Sequence, residues 1–171
     1  MKAAIPLLLL GVLVLSGCAS SKISVSSVPT RAAVKVDRIA IAPGSGVFGD
    51  AIAVELFNLG FTVVDSSETS RIAARVGLQE IEVTSDEGYA ALREAGIEAV
   101  LSARAVSGTD GTPESASVRI TALKTGEIIA GVSWQNGWGG QRGSVADRTM
   151  RKNLSQAARE IAQEISKRLG R

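Results

Sequence analysis

The chain has 171 residues, 19 lysines and arginines against 17 acidic residues, a net charge of +2, one cysteine and no histidine. Charge so nearly balanced provides no one-signed field of the kind that holds nucleic acid. Lacking histidine and a second cysteine, the chain also lacks the usual zinc ligands and the Ser-His and Cys-His nucleophile pairs.

The chain opens with Lys2, an apolar run from Ile5 to Leu15, and small residues before Cys18. That is the order of parts in a secretory signal peptide, and the run is shorter than the roughly 20 apolar residues of a membrane span. Leu15-Ser16-Gly17-Cys18 resembles the lipobox of bacterial lipoproteins. The resemblance implies acylation of the Cys18 thiol, cleavage just before it, and a further acyl chain on the new amino terminus. Residues 1–17 are then the signal peptide and Cys18 the lipid attachment site. A lone cysteine in an exported chain has no disulfide partner, and lipidation removes that liability. One acyl chain holds a protein only marginally, whereas two or more hold it stably. Ala19 follows in place of aspartate. By the same resemblance this directs the chain to the outer membrane, facing the periplasm.

Residues 18–35 are rich in serine and small residues, include Pro29, and read as a tether. Residues 23–25 are a candidate short edge strand within it. Residues 36–171 are the expected single domain. Residues 36–42 (VDRIAIA) form a nearly continuous apolar run, as expected of a strand covered on both faces. A helix follows, with Phe48, Ile52, Leu56 and Leu59 on one face and Gly60 as its stop. Residues 61–65 (FTVVD) are the next strand, so this unit is a right-handed parallel β-α-β crossover. Residues 66–76 read as a short helix with Ile72 and Val76 inward. Thr84 and Glu87 are spaced as a capping box for a helix carrying Tyr89, Leu92 and Ala95, stopped at Gly96.

Three alternating stretches come next: residues 97–106, 116–123 and 127–138. In the last, Ile128, Ala130, Val132, Trp134 and Trp138 share a face. Joined by short turns, the three make an antiparallel meander. Ser144, with Asp147 three residues on, caps one last helix whose buried stripe is Met150, Leu154, Ala158, Ile161, Ile165 and Leu169. Arg151, Lys152, Arg159, Lys167 and Arg168 fall on its other face, where Glu164 and Arg168 are spaced to pair. The expected class is therefore α/β (α+β). It has a mixed sheet of about five strands, a parallel β-α-β start, an antiparallel meander and flanking helices, including a long C-terminal one.

Two stretches are candidates for function. Gly44-Ser-Gly46-Val-Phe-Gly49 matches G-x-G-x-x-G between a strand and a helix, and Asp65 ends the next strand. Formally this is a dinucleotide fingerprint, with backbone amides on a pyrophosphate and Asp65 on a ribose hydroxyl. Against it, a chain exported unfolded carries no cofactor out of the cytoplasm, and the second half is a meander in place of another mononucleotide unit. Glycines that make a turn and let a helix approach a strand account for the pattern, so no cofactor is expected. The other stretch is the glycine-rich loop at residues 137–143. There Trp138, Asn136 and Arg142 are candidate partner contacts, since Trp and Arg dominate binding hot spots. No catalytic or metal-binding constellation is indicated.

RIAIAP, LFNLGFTVVD, GIEAVLSARAV and LKTGEIIAGVSW, between a lipobox and a capped terminal helix, resemble the CsgG-like family of envelope lipoproteins. That family includes the curli secretion lipoprotein, and the peptidoglycan synthase activator LpoB and the TolB N-terminal domain have a related fold. The resemblance implies no enzyme activity and a role through protein contacts at the outer membrane, in envelope assembly or secretion. A homo-oligomer, in the form of a ring-shaped secretion complex, is the first alternative. No strand pair is left over to build a membrane hairpin of the kind a pore needs. An exported dinucleotide-binding enzyme is the second alternative.

Overall fold

The computed structural model describes residues 20–25, 35–137, 141 and 143–171. The strands are β1 (Ser21–Val25), β2 (Arg38–Ile41), β3 (Thr62–Val64), β4 (Ala99–Ser107), β5 (Pro113–Ala122) and β6 (Ile128–Asn136). The helices are α1 (Gly46–Asn58), α2 (Ser66–Arg75), α3 (Asp86–Glu94), α4 (Val145–Met150) and α5 (Leu154–Arg168). The strands form one sheet in the order β1-β6-β5-β4-β2-β3. β2 runs parallel to β3 and β4, while β4, β5, β6 and β1 pair antiparallel in turn. The expected class stands, with six strands because the edge-strand candidate at residues 23–25 is real and begins at Ser21.

Burial divides the sheet into two regions. On one face α1 and α5 cover its width, packing Ile52, Leu56, Ile161 and Ile165 onto Ile39, Leu101, Val118, Ile120, Val132 and Trp134. On the other face a smaller core sits only over β2, β3 and the start of β4, where Ile72, Val83 and Leu92 meet Ala40, Val64 and Val100. Short RIAI is consequently apolar on both sides, as a doubly covered strand must be. The far half of β4, with β5, β6 and β1, has helices on one side only. Its residues alternate between buried and exposed, as Ala116, Val118 and Ile120 do against Ser117 and Arg119.

Several local expectations need correction. The unbroken helix from Ser144 is two helices. Ser144 does cap α4, accepting from Asp147 N, but Arg151 is extended and Asn153 caps α5 in a box with Gln156. The break is held from outside. Both main-chain groups of Lys152 bond the Asn136 side chain, and Met150 O accepts from Ser20 N. Met150 is accordingly half-buried and leaves the core stripe. Arg151 and Lys152 leave the solvated helix face for ion pairs at the break. Arg168 does pair with Glu164, at 3.6 Å.

Thr84 belongs to a 3-10 turn, and Ser85 is the residue that caps α3, accepting from Gly88 N. The capping box in this region is Gln79 with Glu82, one turn earlier. Ile128 is 45% exposed, because the β5–β6 register shifts beside it and turns it off the face of Ala130, Val132 and Trp134. Leu59 lies just past the end of α1 and is 37% exposed, while Gly60 reverses the chain at φ +89°.

Candidate functional site

Several side-chain and main-chain ties converge where the N-terminal strand enters the sheet. β1 lies along β6, with Ser21 opposite Asn136 and Val25 opposite Val132. Its start is pinned at Ser20, which donates from N to Met150 O (3.2 Å) and accepts at O from Gly137 N (2.7 Å). Gly137 has to be glycine for this approach, since a Cβ there would stand 2.3 Å from Ser20 O.

Below this junction Glu160 of α5 collects three donors. Ser21 Oγ donates at 2.7 Å, the indole Nε1 of Trp134 at 2.9 Å, and Lys152 Nζ completes the set as an ion pair. Lys152 Nζ also donates to Ser21 Oγ at 3.0 Å. Burial pushes the Glu160 carboxyl upward, but the hydrogen bonds from Lys152, Ser21 and Trp134 outweigh it and the net shift is downward. The carboxylate is thus charged at neutral pH and ties β1, β6 and the α4–α5 break to one helix.

Asn136 is the second tie. Its Nδ2 donates to Pro113 O (2.7 Å) and Lys152 O (2.8 Å), and its Oδ1 accepts from Lys152 N (2.9 Å). The side chain therefore holds the base of the glycine-rich loop and faces inward. Trp138 and Arg142, the other two candidate contacts, lie outside the described residues, as does Cys18.

A cleft of about 590 Å³ flanks the same end, lined by the loop before β5 and by α4. Arg151 lies on its wall, with its side chain 11% exposed and within 3.7–3.9 Å of carboxylate oxygens of Glu114, Asp147 and Asp110. Asp147 is buried and accepts from Gly143 N at 3.0 Å. The Thr112 backbone N–H holds the Asp110 carboxyl below its ordinary range, with the Arg151 guanidinium adding to the effect. Three carboxylates share the one guanidinium of Arg151, so the cluster joins the loop to the α4–α5 break.

The G-x-G-x-x-G stretch serves packing. Gly49 sets α1 against the strand before it, since a Cβ would meet Ser45 Cβ at 2.3 Å and Ile41 at 3.3 Å. Gly46 takes φ +55° between the 3-10 turn and α1, and Gly44 faces open space. Ser45 turns its Oγ to accept from Ala103 N (3.1 Å). Asp65 accepts from Glu68 N (2.8 Å) and so caps α2. One of its carboxylate oxygens thus satisfies a helix end.

Sequence reasoning missed the Glu160 cluster and the α4–α5 break. Asn153 three residues before Gln156 was a legible cap signal for the break. Nothing local announces the cluster.

No protein-family profile and no curated protein sequence matches the chain. Solved structures do. The PelC dodecamer from Paraburkholderia phytofirmans aligns with 89% of this chain and 99% of its own, at TM-score 0.50 and 17% identity. Lipoprotein GNA1162 from Neisseria meningitidis aligns over 76% and 96%, at TM-score 0.50 and 17% identity. The LpoB C-terminal domain from Salmonella enterica aligns over 61% and 86%, at TM-score 0.47 and 20% identity. Identities this low establish a shared fold and no more. The fold is one that a bacterial lipoprotein uses.

Proposed function

We propose that the chain is a CsgG-like envelope lipoprotein, acylated on Cys18, anchored in the outer membrane and facing the periplasm. It acts through protein contacts in envelope assembly or secretion and performs no chemistry of its own. The observation that carries this reading is the junction between motif and fold. A motif that resembles a lipobox ends at Cys18, and by Ser20 the chain is already bonded into a sheet of the fold that a Neisseria lipoprotein shares. The repeated use of its charges in ties, such as Glu160 and Arg151, supports a binding role over a catalytic one. Trp138 and Arg142 are the proposed partner contacts, with Asn136 holding the base of their loop.

The test is Cys18→Ser in intact cells. The variant is expected to leave the outer-membrane fraction, and recovery there at the parental level would overturn the reading. PelC is a dodecamer, and this favours a second reading in which the chain closes into a ring. Native mass spectrometry of the detergent-extracted protein separates the two. A closed ring supports the second reading, and a monomer or dimer opposes it.

A further inference from the structure

The half-sheet left bare by the second helix layer carries an unusual charge pattern. Lys22, Arg104 and Arg119 all project from it and all are exposed. Among the described residues none of the three makes an ion pair. Between them the register sets a row of small hydroxyls, with Ser117 opposite Arg104, Ser133 opposite Ser117, and Ser24 opposite Ser133. The four strands contain one acid, Glu114, and it is turned toward Arg151 at the α4–α5 break. By strand spacing, Arg104 and Arg119 stand about 8 Å apart, while Lys22 lies about 16 Å from Arg104. The face is broad and cationic, with a depression of about 400 Å³ between Lys22, Arg104 and Gln135, and among the described residues it has no exposed aromatic anchor of the kind a protein partner supplies with a pocket.

Covalent geometry says what lies beside it. Ser20 is bonded on both sides of its peptide, so only Ala19 separates a fixed residue from Cys18. Two residues span at most about 7 Å, and four bring Lys22 within about 14 Å of Cys18. Other surfaces suit a lipid surface less well. The end with the α4 cleft presents Asp110, 59% exposed, and the helix side mixes its charges in pairs such as Arg159–Glu55 and Lys167–Glu164.

We propose that the bare face of β4, β5, β6 and β1 lies on the bilayer, with Lys22, Arg104 and Arg119 against anionic lipid headgroups. The proposal rests on acylation of Cys18. Each basic residue near an anionic surface favours the docked pose by about fivefold, and a link of only two residues limits how far the domain can move from it.

Acylation leaves the chain without a free thiol, so one engineered cysteine reports its own surroundings. Ser117→Cys and Ser133→Cys probe the bare face, and Ser155→Cys, exposed on α5, probes the opposite side. The lipidated protein is reconstituted in phosphatidylglycerol-containing vesicles, in phosphatidylcholine vesicles, and in detergent, then treated with a membrane-impermeant maleimide. Ser117→Cys and Ser133→Cys should label at least about fivefold more slowly on the anionic vesicles alone, Ser155→Cys equally in all three, and Arg104→Glu with Arg119→Glu should abolish the difference. Equal labelling of both faces on anionic vesicles overturns the proposal. So does protection in detergent that grows with protein concentration, which assigns the face to a second copy, or protection in cells without protection on vesicles, which assigns it to another envelope component. Reaction of the parent protein at Cys18 would instead refute the anchor itself.

Discussion

Replacing Glu160 with alanine tests whether the N-terminal strand is clamped by one carboxylate. The substitution removes the acceptor shared by Ser21 Oγ, Trp134 Nε1 and Lys152 Nζ. Hydrogen bonds to a charged group contribute about 1.5–3 kcal/mol each when no water replaces them. Lys152 and the position of Glu160 are part-exposed, with side chains at 15% and 26%, and Ser21 is half-buried, so water recovers much of the loss at Lys152 and Ser21. Trp134 is 1% exposed, and its N–H is left stranded. The expected cost is about 2–4 kcal/mol, or a fall in Tm of roughly 5–12 °C for a domain of this size. Thermal melts followed by circular dichroism read it directly. A double-mutant cycle with Trp134→Phe isolates the stranded donor. Once that donor is gone, Glu160→Ala should cost about 1 kcal/mol less. A Glu160→Ala variant within about 0.5 kcal/mol of the parent, or a fully additive cycle, would refute the clamp.

Gly137→Ala places a Cβ 2.3 Å from Ser20 O, so the start of β1 must shift. Limited proteolysis within residues 20–25 should become markedly faster, with overall stability down by about 1–3 kcal/mol. Asn136→Ala deletes three hydrogen bonds that join β5, β6 and the α4–α5 break, and denaturant unfolding should show a loss of about 2–3 kcal/mol. The pH profile of Tm follows from the lowered carboxyls of Glu160, Asp37 and Asp110. A depressed folded-state pKa gives stability that is present above the unfolded value and lost below it. Tm should therefore hold steady from about pH 6 to 8, where no histidine titrates, and drop as pH falls below the ordinary Glu value of 4.5. A drop centred near neutrality would contradict this assignment.

Periodicity made the interior of the fold readable. RIAI is apolar on both sides because two helix layers sandwich it, and Trp134 falls in phase with Ala130 and Val132 on the buried face. β1 was harder to see. SKISV needs only backbone pairing at an edge, so its side chains follow no strong apolar pattern. The α4–α5 break has one local sign, the Asn153–Gln156 cap, set against a stronger opposing pattern. Continuous helical spacing from Met150 to Leu169 masks an interruption enforced by Asn136 and Ser20, which are distant in sequence. The Glu160 clamp has the same character, since Ser21 and Glu160 are 139 residues apart and local spacing carries no trace of their contact. G-x-G-x-x-G shows the converse. A short pattern with a chemical meaning elsewhere is used here for close packing by Gly49 and a turn at Gly46.

The clamp changes what a lipid at Cys18 can do. A flexible tether spanning residues 18–35 would let the domain roam about 20–25 Å. With Ser20 bonded to Met150 and Gly137, acylated Cys18 allows about 7 Å. The glycine-rich loop leaves the sheet at Gly137, the residue that bonds Ser20, so if Cys18 is acylated as proposed the base of the loop is held beside the same bilayer. On the same proposal, a partner that reads Trp138 and Arg142 would meet them at the membrane surface, as another anchored or embedded protein would. Loosening the clamp by Gly137→Ala should weaken that encounter while leaving the acyl chains in place. Loss of partner crosslinking with full retention in the membrane fraction is the expected result. Undiminished crosslinking would mean that the partner reaches the loop without help from the strand.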